Sequence, residues 1–283
     1  MRVFALSDLH VDFGQNMSWL RALSSADYTE DTIIIAGDVS DNPARLENAL
    51  LCVRSKFAHV FFVPGNHDLW VRRNGHADSV EKFRHVLDLC RAVGVHTTPA
   101  RIDNGGTGVW IVPLFSWYTK PEEGASSLFL PKPGEDPSLG MWSDNAFVSW
   151  PHLAGRATAS GFFLQMNEKH IHTRNGTPVI SFSHFLPRRE LMFSPPEERQ
   201  KRGGGPTDPN PAFNFSRVAG CTGLEAQIRQ LRSAVHVYGH QHRNRDRVIH
   251  GVRYVSHCLG YPRERARGHI HGGEDGPIPI WCE

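Results

Sequence analysis

The sequence predicts a layered α/β fold. Three observations carry that prediction: short runs of β-branched and aromatic residues recur along the chain, helical apolar spacing fills the intervals, and most runs end in a similar polar signature. Apolar runs without polar alternation read as strands buried on both faces. Strands alternating with helices make a sheet covered by helices.

The elements follow in order. Residues 3–6 end in Ser7-Asp8-Leu9-His10, residues 33–36 in Gly37-Asp38, and residues 60–63 in Pro64-Gly65-Asn66-His67-Asp68. Further strands are expected at 109–113, at 179–182 before Ser183-His184, and at 235–238 before Gly239-His240-Gln241-His242. Asp41-Asn42-Pro43 opens a helix with Leu46, Leu50, Val53 and Phe57 on its apolar face. Asp78 caps a second, through Val80, Phe83, Leu87 and Leu89, and Thr222 opens a third, through Leu224, Ile228 and Leu231. Residues 247–258 alternate around Gly251 and predict an antiparallel hairpin. Two stretches break the rhythm. Residues 117–150 are rich in Gly, Pro and Ser, and residues 187–219 contain Pro195-Pro196 and Gly203-Gly204-Gly205. Loops of that length inside a compact domain are usually functional or disordered. Both are expected to border the site, with Trp117, Tyr118 and Trp142 as flat apolar walls. The 283 residues are expected to form one domain carrying these two insertions.

Composition narrows the function. A formal charge of +2 is too mild to indicate nucleic acid or anionic lipid. No apolar run approaches the roughly 20 residues of a membrane span. Five dispersed cysteines, none in a C-x-x-C pair, disfavour zinc ribbons and thioredoxin chemistry. Those thiols, and a start that reaches Asp8 without a signal's apolar stretch, point to the cytoplasm. Oligomeric state is not readable. The outlier is histidine, at 17 residues, several beside Asp, Asn or Gly.

D-x-H alone means little, since about one instance is expected by chance, whereas G-N-H-D is expected about 0.003 times. Their joint placement after strands, where open α/β sheets bind ligands, is the stronger signal. Two divalent or trivalent metals about 3.5–4 Å apart clamp a phosphoryl group and acidify a bridging water. Such a pair needs hard oxygen donors, neutral imidazoles and a bridging carboxylate. Asp8, His10 and His242 suit one metal, Asn66, His184 and His240 the other, and Asp38 the bridge. Manganese, iron and zinc all tolerate this donor set. G-H-x-H is placed on a loop past its strand, with Gly239 allowing a turn. His67 suits a general acid. Asp41 is expected to orient and charge it, although it also sits where a helix N-cap belongs. Asp68 suits a supporting role behind the ligands.

With D-L-H at 8–10, G-D-V-S-D at 37–41, G-N-H-D at 65–68, S-H at 183–184 and G-H-Q-H at 239–242, the sequence resembles the calcineurin-like metallophosphoesterase superfamily. The resemblance implies a β-sandwich flanked by helices (α/β/β/α), a dinuclear metal centre with the ligand roles above, an acid or phosphate-binding role for His67, and hydrolysis of phosphate esters. Protein phosphatases of that superfamily carry G-D-Y-V-D-R-G and G-N-H-E. Here Asn42 follows Asp41, and Asp68 replaces the glutamate. A phosphodiester or small-molecule phosphomonoester is therefore the expected substrate, with a protein phosphatase or nuclease as alternatives. A non-catalytic scaffold would have no reason to keep both His67 and the ligand set. Arg188 and Arg189, just after His184, are expected to bind substrate phosphate. The arginines between 243 and 267 suit either phosphate contacts or a solvated edge of ordinary ion pairs. His96, His152, His170, His172, His236, His250, His269 and His271 are read as carrying no chemistry.

Overall fold

A computed structural model describes residues 1–72, 75–103, 105–106, 108–151, 153, 158–174, 176–194 and 210–282. The chain runs β1 (Arg2–Leu6), α1 (Gly14–Ala22), β2 (Thr32–Ala36), α2 (Pro43–Arg54), β3 (His59–Val63), α3 (Ser79–Ala92), β4 (Ala100–Ile102) and β5 (Val109–Pro113). It continues through α4 (Asp144–Phe147), α5 (Ala159–Asn167), β6 (Val179–Phe182), α6 (Thr222–Gln230), β7 (Val235–Tyr238), β8 (Arg245–Ile249), β9 (Val252–Ser256), α7 (Pro262–Ala266) and β10 (Ile278–Cys282). His152 and residues 195–209, with Pro195-Pro196 and the triple glycine, lie outside the described residues.

Two sheets face one another, one ordered β10-β1-β2-β3 and the other β4-β5-β6-β7-β9-β8. In the first, β1, β2 and β3 are parallel and β10 runs against β1. In the second, β5, β6, β7 and β9 are parallel, while β4 and β8 are antiparallel edges. The unbroken apolar runs have a direct cause, because alternate residues of a strand point to opposite faces and here both faces are covered. Phe4, Leu6, Ile33, Ile35, Val60 and Phe62 pack with Leu20, Leu46, Leu50, Val53 and Val86 of α1–α3. Their alternates Val3, Ala5, Ile34, Ala36, Phe61 and Val63 join a core with Val112, Ile180 and Val237 of the other sheet. Phe163 of α5 and Leu224 and Ile228 of α6 extend that core. The layering is two sheets flanked by helices, and the hairpin expected around Gly251 is β8–β9.

Caps place the helices. Asn42, not Asp41, caps α2 by accepting from the Arg45 amide at 3.1 Å, with Pro43 at the first helical position. Asp78 caps α3 by accepting from the Val80 and Glu81 amides, both at 2.8 Å. The elements not anticipated (α1, β4, α4, α5, α7 and β10) are short, three to nine residues, too short for periodicity to separate them from loop.

Candidate metal centre

The parallel strands deliver their polar ends to one edge, where loops interlock just past the strand ends. The Asp8 amide donates to Gly37 O (2.9 Å), that of His10 to Asp38 O (3.0 Å) and that of Gly239 to His184 O (2.9 Å). Gly239 is required for room rather than for a turn: a Cβ there would lie 2.7 Å from Asp8 Oδ2 and 2.9 Å from Ala36 O. The left-handed backbone falls on the candidate site residues themselves. Asp8, His10, Asp38, His240 and His242 have φ of 51°, 42°, 57°, 72° and 52°, five of the eight such non-glycine residues among those described. Sparsely populated backbone persists where the surroundings over-determine it, typically at functional sites.

These bends gather the donors. Asp8, His10, Asp38 and His242, all buried, each present a ligand atom within 4.8 Å of the others. His10 Nε2 faces His242 Nε2 at 3.0 Å, and His242 Nε2 lies 3.3 Å from Asp8 Oδ1. His184 Nε2 lies 3.2 Å from Asn66 Oδ1 and 3.5 Å from Asp38 Oδ2. The His240 ring stands 5.1 Å from that of His184. Three imidazoles spend their other nitrogen outward. His184 Nδ1 donates to Ala36 O (2.8 Å), His240 Nε2 to Val218 O (2.9 Å) and His242 Nδ1 to Glu264 (2.7 Å). A carbonyl or carboxylate oxygen only accepts, so these bonds place a proton on each outer nitrogen and turn the inward nitrogen to the cluster.

Electrostatics agree with a cation site. Burial, before any other cause, lowers the pKa of His10, His67, His184 and His240, giving neutral imidazoles. Burial, then Asp68 and Asp8, holds Asp38 well above the usual carboxylate range. Burial also raises Asp8, but His242 outweighs it and Asp8 ends below its ordinary value. Burial alone would lower His242; the carboxylates of Asp8 and Glu264 instead push it up to about 10. Two imidazole nitrogens 3.0 Å apart beside buried carboxylates need a proton or a cation between them, and the donor set fits a metal.

Residues behind the cluster hold it in place. Asp68 Oδ1 accepts from the amides of Val39 and Ser40 (both 2.9 Å), and its Oδ2 from those of Asp38 and Gly65 (both 2.8 Å). Burial pushes Asp68 up to about 6 against these four donors, which leaves it a carboxylate at neutral pH. Asp144 Oδ1 accepts from Asn66 Nδ2 (2.9 Å) and Trp70 Nε1 (2.7 Å), turning the Asn66 oxygen toward His184. His67 stacks on Trp70 at 3.7 Å. Its Nε2 lies 3.3 Å from the Tyr261 hydroxyl and 3.9 Å from Asp38 Oδ2. Asp144, Tyr261 and Glu264 carry no motif that would single them out.

Asp41 pairs with Arg72 (2.5 Å), whose guanidinium lies over Trp70, the ring on which His67 stacks. Arg188 pairs with Glu190 (2.5 Å) and with Glu225 of α6 (2.8 Å), and Arg189 donates to Ser127 O (3.0 Å). Both guanidinium groups are thus engaged by acceptors of the protein itself. Trp117 and Tyr118 are core residues, 3% and 4% exposed, not walls of the site. Trp142 does meet it, edge-on to His240 at 5.8 Å. The second long loop reaches it through Val218 and through Phe215, 5.3 Å from the His240 ring. The later arginines mostly hold backbone: Arg243 caps His242 O and His269 O, Arg265 caps Leu259 O and Gly260 O, and Arg253 pairs with Asp246.

Residues 1–244 match the calcineurin-like phosphoesterase family. The chain belongs to this family. The phosphoesterase is similar to the [acyl-carrier-protein] phosphodiesterase PptH of Mycobacterium tuberculosis, 27% identical over 293 aligned positions that cover 94% of this chain and 79% of that protein. The crystal structure of phosphopantetheinyl hydrolase (PptH) from the same organism shares its fold. The TM-score is 0.73 at 23% identity, over 100% of this chain and 96% of that one. The phosphoesterase is thus a phosphoric ester hydrolase of a metal-dependent family, and its buried Asp/His cluster fits the metal site.

Proposed function

We propose that this phosphoesterase works with two metal ions and cleaves a phosphodiester, the best candidate being the link between phosphopantetheine and an acyl carrier protein. Asp8, His10 and His242 would hold one ion, and Asn66, His184 and His240 the other, with Asp38 between. The observation that carries this reading is the convergence of inward nitrogens on Asp38: His184 Nε2 at 3.5 Å and His10 Nε2 at 3.9 Å approach the same Oδ2 from two sides. A metal pair supplies charge on the phosphoryl oxygens and a nucleophile from water at neutral pH.

The chain's own groups do the rest. Asp68 fixes the loops that carry Asp38 and Gly65, and Asp144 fixes the Asn66 amide. His67 Nε2 faces the cluster and, in its protonated form, would give its proton to the leaving oxygen. The substrate class follows the relative whose name states it and an apolar groove of about 410 Å³ that includes Met192, Phe213 and Phe215. That groove reaches Gln241, between two proposed ligands, and would take the pantetheine arm.

The test is elemental analysis of metal-loaded protein together with hydrolysis of holo-acyl carrier protein, cyclic nucleotides, phosphomonoesters and phosphopeptides. We expect two metal ions per chain and fastest turnover on the carrier protein. Fewer than one ion per chain defeats the metal reading, and a faster phosphopeptide or monoester defeats the substrate.

A further inference from the structure

The chain beyond residue 244 lies outside the matched family region, yet it builds one side of the metal centre. The Ser7 amide donates to His257 O (2.8 Å), and Leu259 and Gly260 donate back to Ser7 O (3.1 Å) and Asp8 O (2.9 Å). Asn16 Nδ2 ties Gly260 O to the same loop at 2.9 Å. This extra rung carries Tyr261 and α7 over the ligands. The Tyr261 ring lies 4.5 Å from that of His10 and 4.9 Å from that of His242. Its hydroxyl meets His67 Nε2 at 3.3 Å. Glu264 closes the arrangement, since its Oε2 accepts from both His242 Nδ1 (2.7 Å) and the Tyr261 amide (2.9 Å).

We propose that Tyr261 and Glu264 act as one positioning pair, in which Glu264 turns His242 Nε2 toward the metal and Tyr261 holds His67 Nε2 for proton transfer to the leaving oxygen. The proposal rests on the metal and acid roles given above. A carboxylate on the outer nitrogen of a ligating histidine fixes the ring and raises its basicity, and its loss typically costs about 10–100-fold in metal affinity. The nitrogen that Tyr261 holds is the one that faces Asp38, so the hydroxyl, accepting from the protonated ring, sets the direction of the acid and gives up that hydrogen bond as the proton passes to the leaving oxygen. A single oxygen atom serving both His242 and the Tyr261 amide links the two tasks.

Glu264→Gln keeps an oxygen for both hydrogen bonds and removes the charge, and Glu264→Ala removes everything. Tyr261→Phe keeps the ring against His10 and His242 and removes only the hydroxyl. Calorimetric titration of metal-stripped full-length protein with Mn²⁺ should show affinity falling about tenfold in Glu264→Gln and more in Glu264→Ala, and wild-type affinity in Tyr261→Phe. Kinetics on aryl phosphodiesters with leaving phenols from 4-nitrophenol to phenol should show a steeper leaving-group dependence in Tyr261→Phe. Its kcat should fall about tenfold or more at the phenol end, with KM little changed. Wild-type Mn²⁺ affinity in both Glu264 variants would make Glu264 a helix cap alone and overturn its role. A Tyr261→Phe loss equal across the series, or none, would overturn the positioning of His67. The wild-type stoichiometry from the same titration is a separate readout: one ion instead of two defeats the two-metal reading, while the variant affinities still decide Glu264.

Discussion

Asp68→Asn is the sharpest test of how the ligand loops are held. Asp68 is fully buried and gives each carboxylate oxygen to two backbone amides. Asparagine has one acceptor oxygen and places an NH₂ group where the other stood. Whichever way the amide turns, two of the four N–H groups face a donor and lose their partner. A buried donor left unsatisfied costs about 1–3 kcal/mol, so the variant should lose about 2–6 kcal/mol. With a urea m-value of about 3 kcal/mol/M, the unfolding midpoint should fall by roughly 0.7–2 M. The assay is urea unfolding of metal-stripped protein in EDTA, followed by tryptophan fluorescence and circular dichroism, so that lost metal binding does not enter. A midpoint within about 0.2 M of wild type, less than one-third of the smallest expected shift, would refute the reasoning. The four amides would then have found other partners, and Asp68 would not be what fixes Asp38 and Gly65.

Two further outcomes follow from the same geometry. Asp144→Ala frees the Asn66 amide and should lower Mn²⁺ affinity about 10–100-fold with an unchanged far-ultraviolet spectrum; unchanged calorimetric affinity counts against it. His236 is buried between Ser181 and Ser183, and burial lowers its pKa from 6.5 to about 3. The folded state therefore refuses a proton that the unfolded state accepts, and stability falls as pH drops below about 6.5. Between pH 7 and 5 the wild type should lose about 2 kcal/mol more than His236→Gln; parallel stability curves would exclude this.

The strands were legible because covering both faces of both sheets demands unbroken apolar runs, and Ile33, Ile34, Ile35 and Ala36 are all fully buried. The motifs that gather at the candidate site were legible because each is local, a few residues at a strand end. The groups that orient the ligands were not. Asp144 reaches Asn66 across 78 residues and Tyr261 reaches His67 across 194, distances over which one sequence carries no pairing signal. Nearness in sequence carries no pairing signal either. Arg188 stands four residues after His184, but the 3₁₀ turn over Arg189–Met192 that follows it and Glu225 on α6 claim its guanidinium.

The backbone at G-H-x-H shows what the bends are for. Along a regular strand, residues two apart lie on one face, about 6.5–7 Å from each other, and would both serve a single neighbour. With left-handed φ at His240 and His242, the two rings part company. His240 turns to within 5.1 Å of His184, and His242 to within 5.0 Å of His10. Each left-handed residue costs of order 1–3 kcal/mol, so five of them demand compensation. Part of it is already in the protein: Asp8 accepts from the His240 amide at 3.1 Å, and the Asp68 carboxylate takes the amides around Asp38. A cation held by the converging nitrogens and carboxylates would add to that compensation, and its binding would then be coupled to the stability of the loops themselves.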